Sequence, residues 1–261
     1  MKEIPLIDSH AHLSLRAFDR DREEVIERAQ QTGVGIILTI GITPEDTEKA
    51  ASISEQNDFI FFSAGLHPHD AKSFDEDTEK RIKAKAEHPK CLAIGEIGLD
   101  FHHNYSPPEK QMDAFRKQIA VARDLSLPII VHSRESLEKT IQILEEDKAN
   151  DVGGIFHCFS GSPETAKKCL DLGFGISIAG PLTFTKAVKP VQVAKQTPLE
   201  HILLETDCPF LAPVPFRGKR NEPSYILETY KRLSEIKGVP LEELKERLFN
   251  NFRIRFPKFS S

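Results

Sequence analysis

Residues 129–132 read IIVH, a short apolar and β-branched run that ends on a histidine. Similar runs recur along the chain, and a polar stretch with helical patterning follows each of them. Unbroken apolar strands that alternate with helices are typical of a parallel sheet covered on both faces. The eight runs fall at residues 6–8, 35–40, 59–64, 91–96, 129–132, 154–157, 174–178 and 202–205. They predict an α/β chain with a single domain over residues 1–261, folded as a closed (β/α)₈ barrel of the TIM type; an open doubly wound sheet is the alternative.

Helix boundaries are marked by capping residues and glycines. SPPE at residues 106–109 has capping-box spacing with proline in the first turn, and SPE at residues 162–164 gives a similar signal after the sixth run. Gly33 and Gly173 stand where helix C-terminal caps are expected. Residues 242–249 alternate charge and leucine at helical spacing, so we expect one extra helix at the C-terminal end of the barrel.

Composition narrows the class of protein. The chain has 261 residues, of which 39% are apolar and 29% charged, and it lacks the roughly 18 consecutive apolar residues of a membrane helix. Its first residues, MKEIPLIDSHAHL, turn polar too early for a signal peptide, so we expect a cytoplasmic protein with no membrane contact. We expect a monomer, although the sequence leaves the oligomeric state open. The cysteines lack C-x-x-C spacing and are expected to be reduced: Cys91, Cys158, Cys169 and Cys208.

The net charge bears on nucleic-acid binding. At −5 it argues against a protein that grips long duplex through global electrostatics, because such domains are usually basic. Any nucleic-acid binding must therefore come from a local basic patch, or from metal ions that offset an acidic site.

Six potential metal ligands follow the predicted strands. Because active sites of such barrels form at the C-terminal strand ends, we expect these side chains to converge. Residues two apart in an extended segment point to one side, so an H-x-H pair can bind one ion. The six are His10 and His12 just after the first run, Glu96, His132 and His157 at the ends of the fourth, fifth and sixth, and Asp207 just past the eighth.

The donor set indicates two divalent ions. Four imidazoles and two carboxylates suit Zn²⁺, Mn²⁺, Fe²⁺, Co²⁺ or Ni²⁺, and Mg²⁺ stays a candidate although it prefers oxygen. Six ligands exceed the roughly three of one catalytic zinc. Glu96 is the expected bridge, because it stands between the two histidine groups in chain order. Two such ions turn a bound water into a hydroxide and stabilise both the attacking and the leaving oxygen of a displacement at phosphorus. Asp207 is the expected general base that accepts the proton of this water. Taken singly, each residue also has a structural interpretation, such as a core carboxylate at Glu96 or a helix N-cap at Asp207.

Several longer motifs cover nearly the whole chain. They read DSHAHL at 8–13, GLHPHDA at 65–71, GEIGLDF at 95–101, LPIIVHSR at 127–134, FHCFSGS at 156–162 and LLETDCPFLAPVPFRGKRNEP at 203–223. In this order they resemble the TatD deoxyribonucleases, metal-dependent hydrolases related to the amidohydrolase barrels. Ser14 and Cys208 depart from the aspartate and serine common in that family, and neither is a predicted ligand.

The resemblance implies an activity and a division of the ligands. The implied enzyme cleaves phosphodiester bonds of DNA as a 3′–5′ exonuclease on single-stranded or frayed ends. One ion would be held by His10, His12, Glu96 and Asp207, and the other by Glu96, His132 and His157.

Further residues complete the expected site. His67, in GLHP after the third run, is expected to donate to a substrate phosphate or leaving group, with a purely structural loop role as the alternative. Glu205 is expected to orient a ligand from behind, or to serve only the core. His69 is expected at the surface. Phosphate contacts are predicted for basic residues beside the ligands and in the eighth loop, where a plain basic turn is the alternative: Arg134, Arg217, Lys219 and Arg220.

Two other functions fit the same residues. A metal-activated hydroxide also attacks aminoacyl esters, amides and lactones, so a deacylase similar to the D-aminoacyl-tRNA deacylases, or a small amide or lactone hydrolase, is the first alternative. A non-catalytic metal-binding barrel is the second. The basic loop and the resemblance favour a nucleic-acid substrate.

Overall fold

The protein is a parallel β-barrel surrounded by helices. The computed structural model describes residues 4–260 and shows, within that range, one sheet of eight parallel strands in chain order. The strands are β1 (Leu6–Ala11), β2 (Val34–Ile40), β3 (Ile60–Ala64), β4 (Cys91–Asp100), β5 (Ile129–Arg134), β6 (Gly154–Phe156), β7 (Phe174–Ile178) and β8 (Ile202–Leu204).

The first and last strands meet at their C-terminal ends. The Asp207 N–H donates to the His10 carbonyl at 2.9 Å, and the His12 N–H donates to the Cys208 carbonyl at 2.8 Å. Sequential strand order with joined ends confirms the predicted barrel and excludes the open doubly wound sheet.

Helices cover the outside of the sheet. In residues 4–260 each strand is followed by its own helix, and α9 is the extra C-terminal helix that the sequence predicts. None of the helices in this part of the chain is both long and apolar enough to cross a membrane. The helices are α1 (Arg22–Gln31), α2 (Pro44–Gln56), α3 (Glu76–Ala86), α4 (Pro108–Leu125), α5 (Leu137–Glu146), α6 (Pro163–Asp171), α7 (Val188–Gln196), α8 (Ile226–Lys237) and α9 (Leu241–Arg255).

Three strands extend further at their C-terminal ends than the sequence predicts. One is β5, which continues to Arg134, so the prediction that His132 ends its strand is wrong. β1 continues to Ala11, so His10 lies within the strand rather than after it. β4 continues to Asp100, so Glu96 lies in its interior, and the prediction that Glu96 ends the strand is wrong. β4 is longer because it stays paired with β5, so that Gly98 lies opposite His132 and Asp100 lies opposite Arg134.

The predicted helix caps at Ser162, Gly33 and Gly173 are confirmed, and the one at Ser106 is wrong. Ser162 caps α6, where its hydroxyl accepts the Thr165 N–H, as the sequence indicates. Ser106 does not cap α4, whose N-cap is Pro107. Its hydroxyl instead donates to the His69 carbonyl at 2.7 Å and accepts the Lys72 N–H at 3.0 Å, which fixes the loop after β3. Gly33 and Gly173 have the positive φ of C-terminal caps.

The barrel interior is apolar and is closed at its N-terminal end. Ile36, Leu38, Ile130, Ile155 and Leu203 form one buried cluster with side chains from the end of the chain. Those side chains, which we call the phenylalanine plug, are Phe252, Phe256 and Phe259. The opposite, C-terminal end of the barrel carries the polar residues described next.

Candidate metal centre

Glu96 lies at the centre of the site, and its two carboxylate oxygens face different imidazoles. Oε1 lies 2.7 Å from His132 Nδ1 and 2.8 Å from His157 Nε2. Oε2 lies 3.4 Å from His10 Nε2 and 3.8 Å from His12 Nε2. Since the carboxylate is also buried, this is the arrangement that a bridging carboxylate requires.

Asp207 completes the group around the H-x-H pair. The Nε2 atoms of His10 and His12 lie 3.2 Å apart. Asp207 Oδ1 is 3.2 Å from His12 Nε2 and 3.8 Å from His10 Nε2. The hydrogen bonds that join the ends of β1 and β8 hold this group together, because they connect the backbones of His10, Asp207 and His12. All six predicted ligands are thus brought together.

The donor chemistry fits divalent cations of the zinc and manganese class. Imidazole nitrogens and carboxylate oxygens are ligands that such ions prefer. The Nε2 atoms of His10 and His12 face each other and two carboxylates, although a neutral imidazole offers one donor and one acceptor. Among the described residues, the Nδ1 atoms of the same two rings are buried and lack a hydrogen-bond partner. A cation between the two Nε2 atoms and the oxygens of Glu96 and Asp207 fits these facing atoms better than hydrogen bonds alone.

The carboxylates are held ionised. Burial would raise the pKa of Glu96, but the nearby imidazoles, His157 foremost, hold it well below its usual value. Burial would likewise raise the pKa of Asp207, but the hydrogen bond with His12 helps to lower it. In the other direction, burial would lower the pKa of His12, His132 and His157, and the neighbouring carboxylates raise all three. The site therefore presents negative charge that protons or metal ions must balance.

His67 faces the site as a neutral donor. Its Nδ1 accepts the His69 N–H at 3.2 Å, so the proton of the neutral ring sits on Nε2. That Nε2 lies 3.4 Å from Glu96 Oε1. Burial lowers the pKa of His67 to about 4, which keeps the ring uncharged at neutral pH. Its role as a donor toward substrate stays a prediction.

Glu205 lies behind His157. Its Oε1 is 3.4 Å from His157 Nδ1 and accepts the Cys158 N–H at 2.7 Å. Glu205 is fully buried. It contacts Nδ1 of His157, whereas Glu96 contacts Nε2 on the other side of the same ring. This is where a residue that orients His157 is expected.

An open cavity of about 750 Å³ leads from the surface to these ligands. Its wall includes Arg134, whose guanidinium has no hydrogen bond or ion pair with the rest of residues 4–260. Two exposed aromatic side chains also line it, Tyr105 at 59% exposure and Phe210 at 52%. The cavity is therefore accessible to a ligand that carries both charge and flat rings.

The basic residues of the loop after β8 lie outside this cavity. Arg220 forms two bonds with the Asp21 carboxylate, at 2.8 and 2.6 Å. Arg217 packs over the Phe184 ring at 4.1 Å and lines a separate surface groove. Lys219 lies over the Phe216 ring. None of the three lines the cavity described above, so phosphate binding by them stays a prediction.

Three residues that the sequence interpretation left without a role lie in the cavity wall. His69, expected at the surface, and His103 both contact the buried Asp100, at 2.8 and 2.9 Å. Asp100 is the last residue of β4 and stands four residues after Glu96, an even offset that a longer predicted strand would have placed on the same face.

Asp8 was also missed. It is buried in β1, where its carboxylate accepts the Thr206 N–H at 2.9 Å and the Thr206 hydroxyl at 2.6 Å. Burial raises the pKa of Asp8 to about 7. These bonds join β1 to the segment that carries Asp207 and so help to place the H-x-H pair beside it.

Comparison with known proteins gives consistent matches over nearly the whole chain. The family model described as TatD related DNase matches residues 7–257. YabD of Bacillus subtilis (strain 168), named an uncharacterized metal-dependent hydrolase, is 46% identical over 239 residues, which cover 92% of this chain and 94% of that protein. A 3'-5' ssDNA/RNA exonuclease TatD of Erwinia tasmaniensis is 34% identical, over 96% of this chain and 99% of its own length. The crystal structure of YjjV, a TatD homologue from Escherichia coli K12, superposes with a TM-score of 0.90 at 30% identity and covers 97% of this chain and 98% of its own.

Proposed function

The chain belongs to the TatD-related DNase family of metal-dependent hydrolases, and on that premise we propose that it removes nucleotides from the 3′ end of single-stranded or frayed DNA. The observation that carries the proposal is the division of the site by Glu96, whose two oxygens face separate sets of imidazoles. Paired cations are the arrangement that many enzymes use for displacement at phosphorus. The relative named a 3'-5' ssDNA/RNA exonuclease supports both the polarity and the unpaired substrate.

The proposal assigns two divalent ions to the six ligands. One set comprises His10, His12, Asp207 and Glu96 Oε2, and the other comprises His132, His157 and Glu96 Oε1. When bound, two such ions lower the pKa of a water towards about 7 and offset the negative charge of a phosphodiester.

Asp207 and His67 have separate roles around the phosphate. Asp207 Oδ1 faces the H-x-H pair, and no hydrogen bond within residues 4–260 engages its Oδ2. That oxygen is available to accept the proton of the attacking water. His67 keeps its proton on Nε2 and donates a hydrogen bond to a non-bridging or leaving oxygen, without transferring the proton.

The cavity wall supports a nucleic-acid substrate. The Arg134 guanidinium can form paired hydrogen bonds with phosphate oxygens. Tyr105 and Phe210 expose rings on which an unpaired base can stack, a contact worth about 1–3 kcal/mol per base. A base within a duplex has no free face for such stacking, so the wall favours frayed or single-stranded ends.

The test is a cleavage assay with matched variants. Metal-stripped protein is incubated with a 5′-labelled single strand of DNA, and Mg²⁺, Mn²⁺ or Zn²⁺ is added in turn. We expect a metal-dependent ladder that shortens from the 3′ end, loss of the ladder in His157→Ala, and no loss in His88→Ala. His88 is the control because it stands just before β4, at the opposite end of the barrel from the ligands, where it pairs with Glu55.

One result would overturn the nuclease proposal. Protein that is shown to bind two ions yet leaves DNA and RNA strands intact with every metal cannot be this exonuclease. The aminoacyl-ester and amide substrates considered above would then be tested with the same preparation.

A further inference from the structure

A second group of donors stands beside the six ligands. His69 Nε2 and His103 Nδ1 both approach Asp100 Oδ2, at 2.8 and 2.9 Å. The two nitrogens and the carboxylate oxygen all lie within 4.8 Å of one another. None of these three residues belongs to the sets divided by Glu96.

The Asp100 carboxylate is held in a fixed orientation. Its Oδ1 accepts the His102 and His103 N–H groups at 3.0 and 2.9 Å. Its backbone N–H donates to Gln111 Oε1 at 2.8 Å, and Gln111 Nε2 donates back to the Asp100 carbonyl at 2.9 Å. The side chain is 1% exposed. Oδ2 is therefore directed into the group of imidazoles before any ligand arrives.

Hydrogen bonding alone leaves this carboxylate with too many partners. Oδ2 also lies 3.3 Å from His132 Nε2, so three imidazole nitrogens surround it. Together with the two N–H groups at Oδ1, the carboxylate has five contacts, whereas two carboxylate oxygens offer about four acceptor sites. A cation that takes its place between Oδ2 and the rings of His69 and His103 relieves this crowding, and leaves Oδ2 to accept from His132 alone.

We propose that His69, Asp100 and His103 form a third divalent-cation site, separate from the pair at Glu96. Two imidazoles and one carboxylate, with one side open to the cavity, match the three protein ligands and the open position of catalytic zinc sites. The His69 and His103 side chains are 28% and 31% exposed, and only one carboxylate contributes charge. The third ion therefore binds more weakly than the other two.

The position of this site suggests its use. Asp100 is paired in register with Arg134, the cationic residue of the same wall. A cation here adds positive charge next to that guanidinium, where an anionic group of the substrate enters. This role rests on the proposed nuclease function, whereas the site itself does not.

The site is tested by metal stoichiometry without nucleic acid. Metal-stripped protein is titrated with Zn²⁺ against a chromogenic chelator, and with Co²⁺ by its visible spectrum. The test variant is His103→Phe, which keeps a ring beside Tyr105 but removes both nitrogens. The control is His102→Phe: the His102 ring lies edge-on to His103 at 4.8 Å between centroids, but its Nδ1 bonds the exposed Glu135 and not Asp100.

The expected result is a third, weaker equivalent in the wild-type protein and in His102→Phe, with two equivalents in His103→Phe. Circular dichroism of both variants verifies the fold. Two equivalents in all three proteins, or a third equivalent that survives in His103→Phe, would overturn the proposal. Because nothing in this experiment depends on cleavage, a third equivalent found in a protein that cuts no DNA would leave the site standing and the nuclease proposal in error.

Discussion

The two ends of the barrel are built from the same strands and have opposite chemistry. At the N-terminal end the interior is filled by aliphatic side chains and by the phenylalanine plug, with Phe252 and Phe256 fully buried. At the C-terminal end, the strands bury Glu96 and His10, and Asp207 is buried just past β8.

The difference shows where stability and function reside. Apolar burial stabilises the N-terminal end, at about 25 cal/mol per Å² of buried surface. Buried charges cost free energy unless they are paired. The C-terminal end of the barrel contains buried atoms without hydrogen bonds in residues 4–260, among them Nδ1 of His157 and Oε2 of Glu205. The C-terminal end is thus held in place by apolar packing elsewhere, inside the barrel and between the sheet and its helices.

The largest effect that would test this comparison is expected for Glu96→Gln. The substitution keeps the shape but removes the charge shared by both ligand sets, so we expect loss of bound metal and a fall in activity of roughly 1000-fold or more. Loss of an outer partner alone costs about 10- to 100-fold. The measurement is metal content and initial rate. Glu135→Gln, at a 64% exposed side chain, is the control; retention of both ions in Glu96→Gln would show that Glu96 is not the bridge.

The opposite end is tested by Phe252→Ala. Removing this ring opens a cavity among Phe256, Phe259 and the barrel interior, and we expect a loss of about 3–5 kcal/mol in the free energy of unfolding. Urea denaturation measures it, with Ile254→Ala as control because that side chain is 69% exposed on the same helix. The folded variant should keep its full metal content. Loss of metal at unchanged stability would mean that the two ends are not separated as described.

Arg134→Ala and Arg220→Ala compare the cavity wall with the basic loop after β8. A charged hydrogen bond to phosphate is worth about 1.5–3 kcal/mol, so we expect KM for single-stranded DNA to rise about 10- to 100-fold in Arg134→Ala. Arg220 already pairs with Asp21, so its loss should lower stability by about 1 kcal/mol at most and leave KM unchanged. Steady-state kinetics on both variants gives the answer, and the reverse order of KM values would restore the eighth loop as the phosphate contact.

The last prediction concerns the pH dependence of metal binding. Because the pKa values of His12, His132 and His157 lie above the ordinary 6.5, protons begin to compete with metal above that pH. Metal affinity should therefore fall as pH drops from about 8 to about 6, roughly tenfold per pH unit for each proton displaced. Chelator competition at each pH measures this. Affinity that stays constant over the range would indicate that the imidazoles are not ligands.

Much of this architecture could be predicted from the sequence, because strands and their polar ends leave local signals. Within residues 4–260 the apolar runs locate the eight strands to within a few residues, and the histidines near their ends locate the candidate metal centre. The same local signals miss partners that are distant in the chain. Arg220 looks like a free cation until the fold brings Asp21 to it. Ser106 looks like a helix cap until the loop at His69 takes its hydroxyl.

Asp100 was overlooked for a related reason. The apolar run that marks β4 ends at Glu96, whereas the strand continues because β5 pairs with its polar end. Backbone pairing of this kind depends on a neighbouring strand and has no hydropathy signature. The wall formed by Asp100, His69 and His103 therefore becomes visible only in the folded chain.

The most direct test of the central claim is anomalous diffraction from crystals of the full chain grown with Zn²⁺. The account predicts two strong peaks on opposite sides of the Glu96 carboxylate, one within bonding distance of His10, His12 and Asp207 and the other of His132 and His157. A weaker peak beside Asp100 is expected from the third site. A single peak at Glu96, or peaks that leave either oxygen of Glu96 without metal, would contradict the claim that this carboxylate bridges two ions.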